Sequence, residues 1–202
     1  MASPYIPDAV AIARTVEALR ARNIQVIVAD TGVEAKDALM QLLPAGAEIC
    51  DSTSETLDAI GFTAFIRGNS RYHNLHDVYE AEPDLAKRND LRRRACIVDY
   101  FIGSVQAIAE TGEVFVASSL GSQLAPYVYS ARRVIWVVGV QKIAPTFDAA
   151  MQRVRGHTLT MHDQWLTDLG RAPTPIGKLG IIEYESQAGR ITLILVKEPL
   201  GW

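Results

Sequence analysis

The stretch RRVIWVVGV, residues 132–140, is the clearest strand in the chain and decides its fold class. Val134, Ile135, Trp136, Val137 and Val138 follow one another without a polar interruption, whereas a strand with one wet face would alternate. Such a run suits a central strand covered on both faces, as in a parallel sheet flanked by helices. Downstream, QKIAP (141–145) reads as a loop and TFDAAMQRV (146–154) as the start of a helix with Thr146 as N-cap. Upstream, the Ser/Gly-rich loop SSLGSQ (118–123) leads into a helix within LGSQLAPYVY (120–129).

The same alternation runs through the rest of the chain. Ser3 and Pro4 signal a helix over residues 4–22, with Ile6, Ala9, Ala13 and Val16 on its apolar face. NIQVIVAD (23–30) is a β-branched strand, VEAKDALMQLL (33–43) a helix through Ala35, Leu39 and Leu42, and GAEIC (46–50) leads to a second handover, with a helix from Ser54 to Ile60. Residues 62–80 read as a long connection with a short strand at Phe62 to Ile66, and a charged helix spans Pro83 to Ala95. CIVDYFIGSVQAIAETGEVFVASS (96–119) divides into two or three short strands, broken near Gly103 and Thr111-Gly112. In the tail, a Gly/Pro-rich loop (170–180) precedes IIEY (181–184) and RITLILV (190–196), read as a small hairpin at an edge of the sheet. This order predicts a three-layer αβα fold with a mostly parallel sheet in a single domain, residues 1–202.

Composition narrows the function classes. With a net charge of −3, the chain lacks the excess of Lys and Arg that nucleic-acid binding uses. Its one basic cluster, KRNDLRRR (87–94), is interleaved with Asp90 and preceded by Glu82 and Asp84, as a solvated helix face would be, more than a surface for an acidic partner. No apolar run has membrane-spanning length and no secretory leader pattern opens the chain, so a soluble cytoplasmic protein is expected, with a homo-oligomer left open. Cys50 and Cys96 border apolar stretches without C-x-x-C spacing and read as small core residues. His73, His76, His157 and His162 form no tight metal pattern, so neither a metal nor a resident cofactor is expected.

The candidate chemistry lies in three loops that each follow a strand. DSTSET (51–56) packs Ser52, Thr53, Ser54 and Thr56 together, side chains that cap helices and donate to oxygen anions. SSLGSQ contributes Gly121, Ser122 and Gln123, and GVQK (139–142) contributes Lys142, a positive charge suited to an anion. If the strands are parallel neighbours, the loops converge on one crevice at their carboxyl ends and describe a site for a small anionic ligand. The competing reading is that hydroxyls and glycines cap helices and make turns while Lys142 is solvated. Glu110, in AETGEV (109–114), and Asp99, opening DYFIGS (99–104), are the candidate base or nucleophile if they face that crevice; otherwise both belong to turns.

SETLDAIGF (54–62), the stretch from Asp99 to Val154, and ITLILVKEPLGW (191–202) together resemble the LUD, or lactate-utilisation, domain family over most of the chain. The resemblance implies a fold similar to the ribose-phosphate isomerase and CoA-transferase superfamily, in which a Ser/Thr-rich loop after a strand binds anionic groups. It implies the same role for Ser52 to Thr56. Members of the resembled family often carry an arginine where this chain has Gln123 and an asparagine where it has Gln106 or Gln141. Some carry a cysteine-rich segment after a Thr-Pro, suited to an iron–sulfur cluster, whereas TPIGKLG (174–180) contains no cysteine. The resemblance therefore implies an anion-binding accessory role in lactate or organic-acid oxidation beside iron–sulfur partner subunits. A stand-alone isomerase or CoA-transferase-like enzyme and a non-catalytic binding module are the alternatives.

Overall fold

In the computed structural model, which describes residues 5–202, the expected alternation of helices and strands forms close to its expected positions. Ser3 and Pro4 lie outside the described residues. Helix α1 (Ala9–Ala21) starts at Asp8, whose carboxylate caps Ala11 N at 2.8 Å. Its buried face runs through Ala11, Thr15, Val16 and Leu19, while Ile6, Ala9 and Ala13 stay exposed. The expected face shifts because Thr15 turns its hydroxyl onto Ala11 O at 2.7 Å and joins the core as an apolar residue would.

Strand β1 (Gln25–Ala29), helix α2 (Gly32–Leu42) and strand β2 (Glu48–Asp51) follow. Residues 62–80 are more ordered than their polarity suggests. After the short helix α3 (Glu55–Ala59), Phe62 to Ile66 form helix α4 (Phe62–Ile66) in place of the expected strand. Gly61 turns the chain through a positive φ of 67°, and Phe62 and Ile66, one helical turn apart, are fully buried on the same face. Strand β3 (His73–Asn74), helix α5 (Leu75–Glu80) and the charged helix α6 (Leu85–Arg94) complete this half.

The segment after Cys96 yields three strands, β4 (Tyr100–Gly103), β5 (Ala107–Ala109) and β6 (Val114–Ser118). A π-helical turn (Pro126–Ser130) precedes β7 (Arg133–Gly139), and β8 (Ile143–Ala144) follows it. Helix α7 (Phe147–Arg153), a second π-helical turn (Val154–Thr158) and helix α8 (Leu159–Asp168) run on from one another. Strands β9 (Lys178–Ile182) and β10 (Ile191–Val196) end the fold.

Six strands form a parallel sheet in the order β1-β10-β7-β4-β2-β3, so Val26, Ile49 and Val137 share one sheet as expected. Alternate residues of β7 and β10 enter opposite cores. Trp136, Val138, Leu193 and Leu195 pack with Leu19, and Ile135, Val137, Ile194 and Val196 pack with Leu39 and Leu57. That division explains the lack of alternation in both strands. A second sheet, β8-β5-β6-β9, is antiparallel across β5-β6 and β6-β9 and parallel across β8-β5.

Both tail strands exist, but they part between the sheets instead of pairing with each other. The half-exposed β9 lines up with β6 at an edge, whereas β10, buried at every residue, inserts between β1 and β7. The chain turns between them on a buried ion pair, Arg190 to Glu185 at 2.6 Å, whose guanidinium also donates to Pro126 O and Tyr127 O.

Candidate functional site

The carboxyl ends of β2, β4 and β7 meet at one edge of the large sheet, and the second sheet closes over them. Between them lies a cavity of ≈ 310 Å³, the lower end of the range typical of small-molecule sites. The loop after β2 supplies Ser52 to Thr56, the loop after β4 supplies Ser104 and Gln106, β6 and the residues after it supply Ser118 and Gln123, and the loop after β7 supplies Lys142. Part of the lining is aromatic. Trp165 lies 6.3 Å from Trp202 and 5.8 Å from His162 between ring centroids.

The hydroxyls do several jobs at once. Ser54 caps α3 through Leu57 N at 3.4 Å, and Thr56 donates to Leu200 O at 3.3 Å, tying down the chain end. Since α3 has five residues, its dipole is short, and the attraction for an anion rests mainly on the hydroxyls and on Lys142. Lys142 is only 4% exposed, and its Nζ donates to Thr56 Oγ1 at 2.9 Å and Ser104 Oγ at 3.0 Å. Among the described residues it has no carboxylate partner. Desolvation, followed by the charge of Arg153, lowers its pKa from 10.5 to about 7. Arg153 stands behind the wall, donating to Gln106 O at 2.6 Å and Thr158 Oγ1 at 2.9 Å, and burial lowers its pKa to about 10. Glu55 brings a carboxylate to the cavity, its pKa raised by partial burial and then by Asp58.

A buried brace sits beneath the loop. Asp51, 1% exposed, accepts from both Nη atoms of Arg67 at 2.8 and 2.6 Å and lies 3.3 Å from His76 Nδ1. Burial alone would raise its carboxyl pKa, but hydrogen bonds from His76 and Arg67 leave it below the usual value. Two glycines allow close approaches at the rim. A Cβ on Gly103 would lie 1.8 Å from Tyr127 Oη and 2.4 Å from Ser52 Oγ, and one on Gly139 would lie 2.6 Å from Leu200 N.

Of the residues expected from sequence, Ser52, Thr53, Ser54, Thr56, Gln123 and Lys142 line this one cavity. Gln123 uses its amide on Ala117 O at 2.8 Å. Ser122 faces a second cavity of ≈ 220 Å³ behind the loop, which Cys50 and Cys96 also line, and Gly121 packs against Lys178. Burial raises the pKa of both thiols, and two thiols fall short of the four ligands a protein-held iron–sulfur cluster takes. Glu110 and Asp99 lie outside the site. Glu110 is buried against Arg14 and Tyr5, neither of which lines the cavity, and Asp99 precedes β4, at the end of the strand away from the crevice, near Arg132. Neither acid lines the cavity. Sequence reasoning missed Ser104, Glu55, Arg153 and the Trp165–Trp202 wall; Ser104 directly follows a short strand and was read as part of one.

The family model described as the LUD domain matches residues 12–198. Among solved structures, a DUF162 family protein from Deinococcus radiodurans aligns with a TM-score of 0.57 at 13% identity, over 95% of this chain and 99% of that one. At that identity the likeness speaks for the fold. The eIF2B beta structure from Chaetomium thermophilum aligns with a TM-score of 0.34 at 20% identity, over 55% of this chain and 38% of that one, too weak to carry an argument. A search of curated proteins gave no match.

Proposed function

The chain belongs to the LUD domain family, and from that premise we propose that it binds a small organic acid or phosphorylated anion. The charged end of the ligand rests on Ser52, Thr53, Ser54 and Thr56 beside Lys142. The observation that carries this reading is Lys142 itself, a buried amine with two hydroxyl partners and, among the described residues, no carboxylate to neutralise it. A buried cation without a counter-charge is costly, and an anion entering the cavity supplies that charge. The Trp165–Trp202 wall offers apolar surface to the remainder of the ligand. The wider role we propose is that of an accessory subunit in organic-acid oxidation, working with partner subunits that hold the iron–sulfur centres.

A thermal-shift screen of lactate, other hydroxy acids, sugar phosphates and CoA esters tests the reading. A ligand at about a hundred times its Kd should add ~2.7 kcal/mol and raise the Tm by roughly 5–10 °C. Each charge-assisted hydrogen bond contributes about 1.5–3 kcal/mol, so a Ser52→Ala, Ser54→Ala, Lys142→Ala variant should lose about two or more powers of ten in affinity. Because Ser54 is also a helix cap, each shift is read against that variant's own unliganded Tm. Equal ligand-induced shifts in parent and variant would overturn the assignment.

A further inference from the structure

Holding a carboxylate does not require a buried lysine; a surface lysine does it while staying hydrated. The environment of Lys142 suits a second role. Its nitrogen touches two hydroxyls: Thr56, whose proton goes to Leu200 O, accepts from it, while Ser104 can accept from an ammonium or donate to a neutral amine, so nothing in the contact set ties it to the charged form. Arg153 supplies a fixed positive charge behind it, and this, with burial, brings both protonation states within reach near neutral pH. One of its two partners, Thr56, belongs to the hydroxyl run, so the nitrogen stands within a small molecule's length of an acid bound there.

We propose that Lys142 forms an imine with the carbonyl carbon of a small oxo acid whose carboxylate rests on Ser52 to Thr56. The proposal rests on the acid-binding reading and extends it by naming the substrate class. The neutral amine's lone pair attacks the carbonyl carbon, a C–N bond forms, and the carbonyl π pair moves to oxygen, which takes up the proton released by nitrogen. The resulting hydroxyl accepts one further proton and leaves as water, giving a protonated C=N bond. No oxidant or reductant takes part, and hydrolysis reverses the sequence. Among the described residues lining this cavity Glu55 is the one carboxyl side chain, and it stands as the proton donor for that departure.

The test incubates the full chain with pyruvate, glyoxylate or phenylpyruvate in the presence of sodium cyanoborohydride, followed by intact mass measurement and peptide mapping. The expected product is one adduct per chain, with the mass of the acid less one oxygen atom, located at Lys142. The larger neutral fraction of Lys142 should favour it by at least roughly tenfold over Lys36, Lys87, Lys178 and Lys197. Lactate, which lacks the carbonyl, should give no adduct, and Lys142→Arg should abolish labelling while keeping a positive charge. The mapping is made on the parent protein, so the result stands even if that variant fails to fold. Labelling spread evenly over the lysines, or none at Lys142, overturns the proposal; if the same oxo acids still raise the Tm, acid binding survives without the imine.

Discussion

Lys142 gives the protein a pH signature that can be read without any ligand. Desolvation, then Arg153, lowers its pKa from 10.5 to about 7 in the folded state. Between those values the unfolded chain holds a proton that the folded chain does not, so this group makes stability rise with pH across that window and costs most below about pH 7. Lys142→Met removes the penalty. The variant should exceed the parent by on the order of 1–4 kcal/mol near pH 6, and the advantage should shrink toward zero near pH 10. Arg153 and Glu55 are common to both proteins, so their titration largely cancels in the difference. Urea denaturation of both proteins at the two pH values measures it, and a difference independent of pH would show that Lys142 is not desolvated. Lys142 was legible in sequence as a cation after a strand. Its burial was not, because that depends on Ser104 and Arg153, brought in from β4 and α7.

The elements around β2 show where local signals succeed and where they stop. The hydroxyl run after β2 stood out because its composition is unusual over a few positions, and it does line the cavity. The 62–80 connection looked structureless because its polar residues serve the interior. Arg67, Asn74 and His76 all reach Asp51, and a buried brace of charges has no hydrophobic period to reveal it. Asp51→Asn should leave Arg67 poorly paired. Since Arg67 is one-third exposed and keeps Asp77, the cost should be about 1–3 kcal/mol at neutral pH, below the full penalty for a broken buried pair. The sign with pH follows from the lowered carboxyl pKa. Its contribution is complete above the ordinary aspartate value of 3.8 and is lost as pH falls through the lower folded value, so parent and variant should converge in acid. Thermal unfolding at neutral pH and near pH 2 tests this; a gap that persists in acid would place the effect in something other than the carboxylate charge.

The large sheet was readable because two strands, β7 and β10, are buried on both faces and carry continuous apolar runs. The second sheet was not, because β5 and β8 are very short and because β8 and β9 pair with strands far away in the chain, which is also why β9 and β10 looked like a hairpin. The cavity exists only where the two sheets and the chain end meet. There Gln141 donates to Leu200 O at 2.8 Å and Gly201 O at 3.1 Å, holding Trp202 beside Trp165. Two chemically different kinds of lining follow, hydroxyl with amine and indole, and they should contribute separately to binding. Trp202→Ala removes apolar surface and leaves Ser52 to Thr56 and Lys142 in place, so it should weaken phenyllactate by about 1–2 kcal/mol, or roughly 5- to 30-fold, while lactate changes less than about twofold. Isothermal titration of the two acids against parent and variant decides it. An equal loss for both would mean that Trp202 serves the cavity only by fastening the chain end across β7, and that the indole wall has no part in choosing the ligand.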